Sequence, residues 1–560
     1  MTWGVQAQTF ETATEAVANM GVGWNLGNTL EAHSGSPNLP SSAAYWGVQG
    51  LESEVYWGQP YTTKEMITMM KDAGFGAIRV PVTWYNHMDA QGNVDSQWMA
   101  RVKEVVDYVI DNGLYCILNV HHDTGADSYQ SDGTTVKTVS WLKADRTYYN
   151  TYKDKYEYLW KQIATEFKDY GQKLVFESYN EMLDIKSSWC FASWNTTAKY
   201  DATIAASAYE SINNYAQSFV TTVRSTGGYN SQRNLVVNTY GACCGAGTWN
   251  SHLEEPLSRL TLPTGATGHL IVEVHSYPSL SNGLTTAISE VDNMLGKLKN
   301  NFTAKGIPVI IGEWGSEGLS KDYQSKRETY LSFADTYVKH AKEYGITTFY
   351  WMGLSDASSR ALLVFNEPDL AETIVKAYRG SDWQGSYPSL SDIEVEYRID
   401  YNSQWSECSV FEGSAPLSTY TGIVVELDKS YPGNELQLKA YDSKGNEQYN
   451  TQTGATRSLN FSSSTLTSGT VARVTLQAFK APYEATIKKI KLIGKNGTVE
   501  EQVPTAFWGC SVTAVNTSGI EKVVSGDKLR HSRRYNLMGQ PVGDNCKGLV
   551  IEGDRKLLIR

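Results

Sequence analysis

The first two thirds of the chain alternate eight times between a short apolar segment and a longer amphipathic segment. The short segments are rich in β-branched residues and hydrophobic almost throughout, which is typical of strands buried on both faces of a parallel sheet. They predict strands at residues 21–25, 77–82, 115–120, 174–179, 235–239, 270–275, 308–312 and 347–352. Between them, segments such as 98–110, 155–170 and 327–344 carry apolar stripes with the helical period.

This alternation favours an α/β fold with a parallel sheet and crossover helices, because parallel strands need long connections. Closed into a ring, eight such units form a (β/α)8 TIM barrel, and about 360 residues fit that fold when loop insertions are allowed. An open, doubly wound sheet is the alternative, but no Gly-rich phosphate-binding turn follows an early strand. We therefore predict a barrel domain over residues 1–380.

After residue 380 the pattern changes to short alternating strands separated by turn residues. Strands are predicted at 392–400, 422–428, 435–441, 472–479 and 486–493, which indicates an all-β sandwich over residues 385–510. Its aromatic residues either stack on a glycan, as in a carbohydrate-binding module, or fill the core of a spacer domain. Those considered for stacking are Trp383, Trp405, Tyr420, Tyr431 and Tyr441. A short, basic, β-rich tail follows over residues 515–560.

Composition narrows the class of partner. A chain of 560 residues exceeds what one hydrophobic core usually serves, so several domains are expected. The net charge of −11 disfavours nucleic acid, and no apolar run reaches the roughly 20 residues that a membrane-spanning helix needs. The 16 Trp and 35 Tyr suit a neutral sugar polymer. Seven Cys match no zinc or CxxC spacing, which leaves disulfide pairing open. Met1 to Phe10 carry no recognisable signal peptide.

Polar residues follow or end most of the predicted barrel strands, where barrel enzymes carry their active sites. They are Asn25, Arg79, His121, His122, Asn180, Glu181, His275, Tyr277, Glu313 and Trp351. Any one of them alone is more simply a core or ion-paired residue, but their joint occurrence favours an active site. Glu181 and Glu313 end the fourth and seventh strands and can face each other across the barrel mouth. Two such carboxyl groups are what glycoside hydrolysis requires, one as acid and one as nucleophile or base.

Metal catalysis is the alternative for the same residues, through His121-His122-Asp123 together with His275. Adjacent residues of a strand point to opposite faces, so only one of the two neighbouring histidines is expected to point inward. A His-x-His pair is absent from the sequence. We therefore predict no metal and no organic cofactor.

The chain from about residue 20 to 360 resembles glycoside hydrolase family 5, the large cellulase family. Six segments in the same order carry the resemblance: Gly23-Trp24-Asn25-Leu26-Gly27-Asn28, Gly74-Phe75-Gly76-Ala77-Ile78-Arg79-Val80-Pro81-Val82-Thr83-Trp84, Leu118-Asn119-Val120-His121-His122-Asp123, Phe176-Glu177-Ser178-Tyr179-Asn180-Glu181, Val274-His275-Ser276-Tyr277 and Ile310-Ile311-Gly312-Glu313-Trp314. Met182 stands where the family often has Pro, and the second histidine of the third strand, His122, varies in the family.

The resemblance implies retaining hydrolysis in which Glu181 is the acid/base and Glu313 the nucleophile. Asn180 would then hold the sugar 2-hydroxyl, Tyr277 and Arg79 would place Glu313, and His121 and His275 would line the −1 subsite with Trp351 as its floor. Asn25 and His122 complete the expected substrate-binding set.

The expected activity is that of an endo-β-1,4-glucanase on plant cell-wall β-glucan. Xyloglucan, mixed-linkage glucan and then mannan are the alternative substrates, and a non-catalytic glycan-binding protein is the alternative class. We expect a monomeric bacterial protein that is secreted or displayed at the cell surface, because the tail resembles a type IX secretion sorting segment. The tail residues that carry this resemblance are Tyr535-Asn536-Leu537-Met538-Gly539-Gln540, Lys547-Gly548-Leu549-Val550-Ile551 and Arg555-Lys556-Leu557-Leu558-Ile559-Arg560.

Overall fold

The computed structural model describes residues 10–33, 50–125, 128–129, 135–136, 140–186, 200–246, 252–316, 319–461 and 466–517, together with short strands between 534 and 559. The chain divides into two compact units, Met1–Asp392 and Ile393–Arg560. Three features of the sequence lie outside the described residues: segment 5–8 near the start, the Trp-containing segment 187–197, and the two cysteines Cys190 and Cys546.

The first unit is a closed barrel of eight parallel strands, as predicted. The strands are β1 Gly23–Asn25, β2 Ala77–Val80, β3 Tyr115–Asn119, β4 Leu174–Glu177, β5 Leu235–Cys243, β6 Leu270–Ser276, β7 Val309–Trp314 and β8 Thr347–Trp351. Each strand pairs with its neighbours in sequence, and β8 closes the ring on β1 with Gly23 opposite Phe349. All eight carboxyl ends therefore lie at one mouth of the barrel.

Ten α-helices are described in this unit, most of them in the crossovers between strands. They are α1 Ala13–Met20, α2 Lys64–Ala73, α3 Ser96–Asp111, α4 Arg146–Glu166, α5 Ala202–Ser225, α6 Glu255–Arg259, α7 Leu284–Asn301, α8 Leu319–Glu343, α9 Ala357–Ala361 and α10 Pro368–Arg379. Side chains of Asp95, Asp145 and Asp201 accept hydrogen bonds from the first free backbone N–H groups of α3, α4 and α5. Helix α3 buries the predicted stripe of Val102, Val105, Val106 and Val109.

The barrel interior is filled by side chains and is not a pore. Inward residues such as Ile117, Ile271 and Phe349 form one buried cluster with the apolar side of α1, which precedes the first strand. Gly23 gives the ring of Phe349 its space, since a Cβ there would lie 2.2 Å from that ring. With its interior packed, the barrel has room for a ligand only at its ends, and the predicted polar residues lie at the carboxyl end.

The second unit contains two antiparallel sheets that share one apolar core, as predicted for a β-sandwich. Its strands are β9 Val395–Tyr401, β10 Glu407–Pro416, β11 Tyr420–Tyr431, β12 Leu436–Asp442, β13 Glu447–Asn450, β14 Gly454–Asn460, β15 Thr470–Ala478, β16 Tyr483–Gly494, β17 Val499–Glu501, β18 Thr505–Trp508 and β19 Cys510–Asn516. One sheet has the order β14-β11-β16-β9-β19 with β17 beside β16, and the other has the order β13-β12-β15-β10-β18.

Two of the five aromatic residues considered for glycan stacking do not lie on the surface of the sandwich. Tyr431 is buried in the core of the sandwich. Trp383 belongs to the first unit, where its indole N–H donates to the carbonyl of Ala73. Trp405 is exposed, whereas Tyr420 and Tyr441 are partly exposed. The stacking hypothesis is therefore wrong for Tyr431 and Trp383.

The tail forms a small antiparallel sheet from the strands Arg534–Tyr535, Pro541–Val542, Gly548–Glu552 and Arg555–Ile559. Much of the segment that resembles a sorting signal, including residues 536–540, lies outside the described residues. Among the residues that are described, no helix combines the length and apolar character that crossing a membrane requires.

Candidate active site

The centre of the barrel mouth is organised around the buried guanidinium of Arg79 on β2. Its Nε and one terminal nitrogen donate to both oxygens of Glu177 on β4, at 2.6 and 2.8 Å. The other terminal nitrogen donates to Glu313 at 2.8 Å and to Asn25 at 3.0 Å. Asn180 accepts the fifth N–H at 2.7 Å. Because every N–H of Arg79 is used, the side chain ties β1, β4 and β7 together at one point.

Glu313 on β7 is held by two donors and is almost buried, with 7% of its side chain exposed. Arg79 donates to its Oε1 at 2.8 Å, and the hydroxyl of Tyr277 donates to its Oε2 at 2.7 Å. The ring nitrogen Nδ1 of His275 lies 3.5 Å from the same Oε2. Both oxygens of Glu313 therefore have fixed partners, and its carboxyl group is held in one orientation at the mouth.

Glu181, just beyond β4, faces Glu313 across the mouth and is far more accessible, with 43% of its side chain exposed. Its Oε1 lies 2.8 Å from Nδ1 of His275. Oxygen atoms of Glu181 and Glu313 and a nitrogen of His275 all lie within 4.8 Å of one another. This spacing is too short for a water molecule to work between the carboxyl groups, as an inverting glycosidase requires, and fits a retaining pair.

His275 on β6 connects the exposed carboxyl group to a buried one. Its Nε2 lies 3.2 Å from Glu273, two residues earlier on the same strand and the same face. Burial acts to lower the pKa of His275, but the carboxylates of Glu313, Glu181 and Glu273 outweigh burial and raise it to about 10. At neutral pH the ring is therefore protonated and donates from both nitrogens.

Glu273 and Glu177 lie below the reacting pair and are fully buried. Burial and the neighbouring charge of Glu177 raise the pKa of Glu273 above its ordinary value. Burial would also raise the pKa of Glu177, but its paired guanidinium, Arg79, lowers it below the ordinary value. Glu273 fits here only because residue 312 is glycine, where a Cβ would lie 1.6 Å from its Oε1. Both acids thus anchor the cationic groups that hold Glu313 and Glu181.

Asn180 and His121 line the mouth beside this cluster. The oxygen of Asn180 accepts from Arg79, so its amide nitrogen is turned toward Nε2 of His121, 3.3 Å away. Nδ1 of His121 accepts a hydrogen bond from the side-chain amide of Asn119, 3.0 Å away. The ring of His121 is parallel to that of Trp351, with centroids 5.7 Å apart. Burial holds the pKa of His121 well below its ordinary range, so this ring stays neutral.

His122 joins a second aromatic group with His33 and Trp57, whose ring centroids lie 5.1–5.4 Å apart. The expectation that only one of the neighbouring histidines points inward was wrong. Strand β3 ends at Asn119, so the alternation of a strand does not reach His121 and His122, and their ring centroids are 4.5 Å apart. Burial lowers the pKa of His122 to about 3 and that of His33 to about 4.

Asn25 lies beneath the site, fully buried. Its amide nitrogen donates to the backbone carbonyls of Gly312, Phe349 and Tyr350. The structure therefore brings all ten predicted residues to one end of the barrel, with Asn25 and Arg79 below the surface that a substrate can reach.

The close approach of Glu181, His275 and Glu313 is also compatible in distance with a metal ion. Both ring nitrogens of His275 already have partners within the protein, Glu181 at 2.8 Å from Nδ1 and Glu273 at 3.2 Å from Nε2. Arg79 and Tyr277 already occupy both oxygens of Glu313. The arrangement of these groups favours acid–base and nucleophilic chemistry.

Two functional residues were not singled out from the sequence, Glu177 and Glu273. Each is an acid that directly follows a run of three apolar strand residues, which is an available signal for a buried, paired carboxylate. Glu273 also stands two positions before His275, so strand alternation places both on one face.

Comparison with known proteins gives consistent matches. The family model described as cellulase (glycosyl hydrolase family 5) matches residues 39–356. Endoglucanase B of Neocallimastix patriciarum is 32% identical over 359 residues, which are 62% of this chain and 66% of that protein. This chain thus spans slightly less than two thirds of that relative's length.

Two solved structures resemble the barrel unit closely. A GH5-4 broad specificity endoglucanase from an uncultured bacterium is 53% identical with a TM-score of 0.61, and the match covers 67% of this chain and 98% of that one. A mutant of PbGH5A, a glycoside hydrolase family 5 enzyme from Prevotella bryantii B14, was solved in complex with a xyloglucan tetradecasaccharide. It is 40% identical with a TM-score of 0.56, covering 66% of this chain and 99% of that one.

Proposed function

The chain belongs to glycosyl hydrolase family 5, and from that premise we propose that it is a retaining endo-β-1,4-glucanase. The observation that carries the proposal is the pair of carboxyl groups at the barrel mouth. Glu181 and Glu313 approach within 4.8 Å, one accessible and one held by a guanidinium and a phenol. Retaining enzymes need carboxyl groups about 5–5.5 Å apart, whereas inverting enzymes need about 6.5–9.5 Å.

In the first step Glu313 attacks the anomeric carbon while Glu181 donates its proton to the oxygen of the leaving sugar. The glycosidic bond breaks, an ester to Glu313 forms, and Glu181 is left as a carboxylate. In the second step Glu181 removes a proton from water, the water oxygen attacks the anomeric carbon, and Glu313 leaves as a carboxylate. His275 donates a hydrogen bond to Glu181 and supports the charge that Glu181 acquires between the steps.

The neighbouring side chains suit a glucosyl unit in the −1 position. The amide nitrogen of Asn180, 3.3 Å from Nε2 of His121, would serve a sugar 2-hydroxyl, and neutral His121 offers a further polar contact. Trp351 contributes an apolar ring beside His121. Stacked rings and a few fixed polar groups are the usual composition of a small-ligand site.

We propose β-1,4-glucan of plant cell walls as the substrate, with xyloglucan and mixed-linkage glucan among the accepted polymers. The 53% identical structure is named a broad specificity endoglucanase, and the 40% identical structure was determined with a xyloglucan oligosaccharide. These names support a cleft that accepts more than one β-glucan. Mannan is a weaker candidate, because its axial 2-hydroxyl would meet Asn180 differently.

We further propose that the protein is a monomer that acts outside the cell, either secreted or held at the bacterial surface. A polymeric plant-wall substrate cannot enter a cell, so the enzyme has to reach it. The resemblance of the tail to a type IX sorting segment is consistent with this route.

Reducing-sugar release from cellulose, mixed-linkage glucan, xyloglucan and mannan tests the proposed activity. We expect the native protein to act on one or more glucans, Glu313→Ala to be inactive, and Glu181→Gln to lose turnover of substrates with poor leaving groups. Inactivity of the native protein on every polymer would favour a glycan-binding protein. Persistent hydrolysis of cellulose by Glu181→Gln would remove Glu181 from the acid/base role.

A further inference from the structure

The second unit has a row of largely covered polar side chains on the sheet β13-β12-β15-β10-β18, with exposed tryptophans beside it. Along β15, Val474, Leu476 and Ala478 are buried in the core of the sandwich. Strand alternation directs the intervening residues Thr475 and Gln477 to the opposite side of this sheet. We call that side the outer face and define it by Glu407, Gln437, Gln477, Trp405, Phe479 and Trp508.

The middle of the outer face is a fixed row of hydrogen-bonding side chains. Gln437, Gln477 and Glu407 stand side by side on β12, β15 and β10, since Gln437 pairs with Gln477 and Gln477 with Glu407. Gln437 donates to Gln477 at 2.5 Å, and Gln477 donates to Glu407 at 2.9 Å. Glu407, Gln437 and Gln477 are only 6–9% exposed, so a ligand reaches just their outermost atoms, and those atoms are held in place before it arrives.

The charged groups around this row compensate one another. Lys439 lies 3.2 Å from Glu407 and 2.8 Å from Glu447, and Arg473 lies 2.5 Å from Glu412. Tyr441 and Thr475 also donate to Glu407. The row therefore has little charge left to attract an ionic partner, which suits a neutral ligand that is rich in hydroxyl groups.

Aromatic rings flank the row at the edge formed by β10 and β18. Trp508 pairs with Glu407 across the two strands and is 53% exposed, and Trp405 is 47% exposed. Trp405 packs edge-on against Phe479 with centroids 5.2 Å apart, and its carbonyl accepts from Gln477 at 3.0 Å. In the barrel unit, by contrast, Trp98 and Trp160 are fully buried.

Trp405 also has an uncommon backbone conformation, with φ of 68°. The left-handed region costs free energy for a residue with a bulky side chain, and such strain is found most often at binding and catalytic sites. An exposed, large apolar side chain in a strained position is hard to explain by the packing of the sandwich alone.

From these observations we propose that the outer face binds a β-glucan chain, separately from the barrel cleft. Trp405 and Trp508 would contact the apolar C–H faces of the sugar rings and carry most of the contact. The outermost atoms of the row of Gln437, Gln477 and Glu407 would pair with sugar hydroxyls. The choice of β-glucan rests on the proposed function of the barrel, because a second site for the same polymer keeps the cleft near its substrate and raises its effective concentration.

Binding to polymer in the absence of hydrolysis tests this proposal. The full chain carrying Glu313→Ala is compared with the same chain carrying Trp405→Gly and Trp508→Ala. Glycine adopts a positive φ without strain, so Trp405→Gly removes the ring and leaves the fold intact. Val515→Ala is the matched control, since it shortens an exposed apolar side chain on β19 of the other sheet. Circular dichroism and the unfolding temperature verify that all variants fold.

Depletion from suspended cellulose, and retardation in gels that contain xyloglucan, mixed-linkage glucan or mannan, measure the affinity. We expect the double variant to bind the glucans at least about tenfold more weakly, a loss of about 1.4 kcal/mol, because exposed aromatic anchors carry much of the binding free energy of an interface. The Val515→Ala control should bind as before. Equal binding by the double variant, or a loss that is equal in the control, would overturn the proposal.

Two further measurements separate this site from the cleft. In a chain where Trp351→Ala weakens binding in the cleft, the polymer should still be retained. Adding Trp405→Gly and Trp508→Ala to that chain should abolish the retention. In the chain with native Glu313, the double variant should keep its kcat/KM on a soluble aryl cello-oligosaccharide. If the native protein hydrolyses glucans but the outer-face variants bind them unchanged, the inference fails and the proposed function stands. If the native protein hydrolyses none, the proposed function fails by itself.

Discussion

Tyr277→Phe removes one hydroxyl from the site and tests how Glu313 is held. The hydroxyl donates to Oε2 of Glu313 at 2.7 Å, and Arg79 serves the other oxygen. Hydrogen bonds to charged groups contribute about 1.5–3 kcal/mol, which corresponds to about 10- to 150-fold in rate. The full stabilisation is not lost from the transition state, because Glu313 loses its charge as the ester forms. We therefore expect kcat/KM to fall by about tenfold, the lower end of the 10- to 150-fold range.

The assay is release of an aryl leaving group from a soluble cello-oligosaccharide, with kcat and KM determined separately. Tyr420→Phe is a matched control, since Tyr420 donates a hydrogen bond of 2.8 Å to Glu500 in the sandwich. That variant loses the same kind of bond in the other unit, where neither partner contacts the groups that hold Glu313, so it should keep native kinetics. A kcat/KM for Tyr277→Phe within twofold of the native value would refute the reasoning that this hydroxyl orients the nucleophile.

Three further outcomes follow from the structure. Burial raises the pKa of Glu31 to about 7, so between about pH 4.5 and 7 the folded state binds a proton that the unfolded state has lost, and the free energy of unfolding falls across that range by on the order of 3 kcal/mol. The difference between the free energies of urea unfolding at pH 5 and pH 8 should be smaller for Glu31→Gln than for the native protein. An unchanged difference would contradict this. Hydrogen bonding to Cys408 lowers the pKa of Cys510 to about 6, and a thiol reacts with iodoacetamide as its thiolate. Peptide mapping should therefore find Cys510 alkylated at pH 7 more slowly in Cys408→Ala than in the native protein. Equal rates would count against the hydrogen bond between the two cysteines. Gly312→Ala places a Cβ against Glu273 and should lower the free energy of unfolding by about 1–3 kcal/mol and reduce activity. Gly296→Ala is the control, because a Cβ there meets open space, and it should change neither. Equal unfolding temperatures for the two variants would show that Glu273 can move aside.

The barrel and the ends of its strands could be predicted because buried parallel strands have a distinct hydrophobic pattern. The eight predicted strands match the eight observed ones to within four residues at each end. The polar residues that follow a strand must lie at the barrel mouth, so Glu181 and Glu313 could be paired before any distance was known. The distance itself depends on strand stagger, which the pattern of one chain does not contain.

Other features depend on contacts between distant segments. Strand β10 was not predicted, because its pairing is interrupted twice and its exposed end, with Glu412 and Gly413, breaks the alternation. The roles of Glu177 and Glu273 depend on Arg79, which lies about a hundred or more residues away in sequence. The position of His122 depends on where β3 ends, and strand boundaries are the least certain part of any sequence pattern.

The central claim is that Glu313 forms a covalent bond with the sugar. A cello-oligosaccharide that carries fluorine at C2 and a good leaving group slows both steps, the second more than the first, so the ester accumulates. We predict that mass spectrometry of the digested protein finds one added glycosyl group, on the peptide that contains Glu313, and that Glu313→Ala acquires none. A glycosyl group on a different residue, or inactivation of the native enzyme without any adduct, would contradict the account.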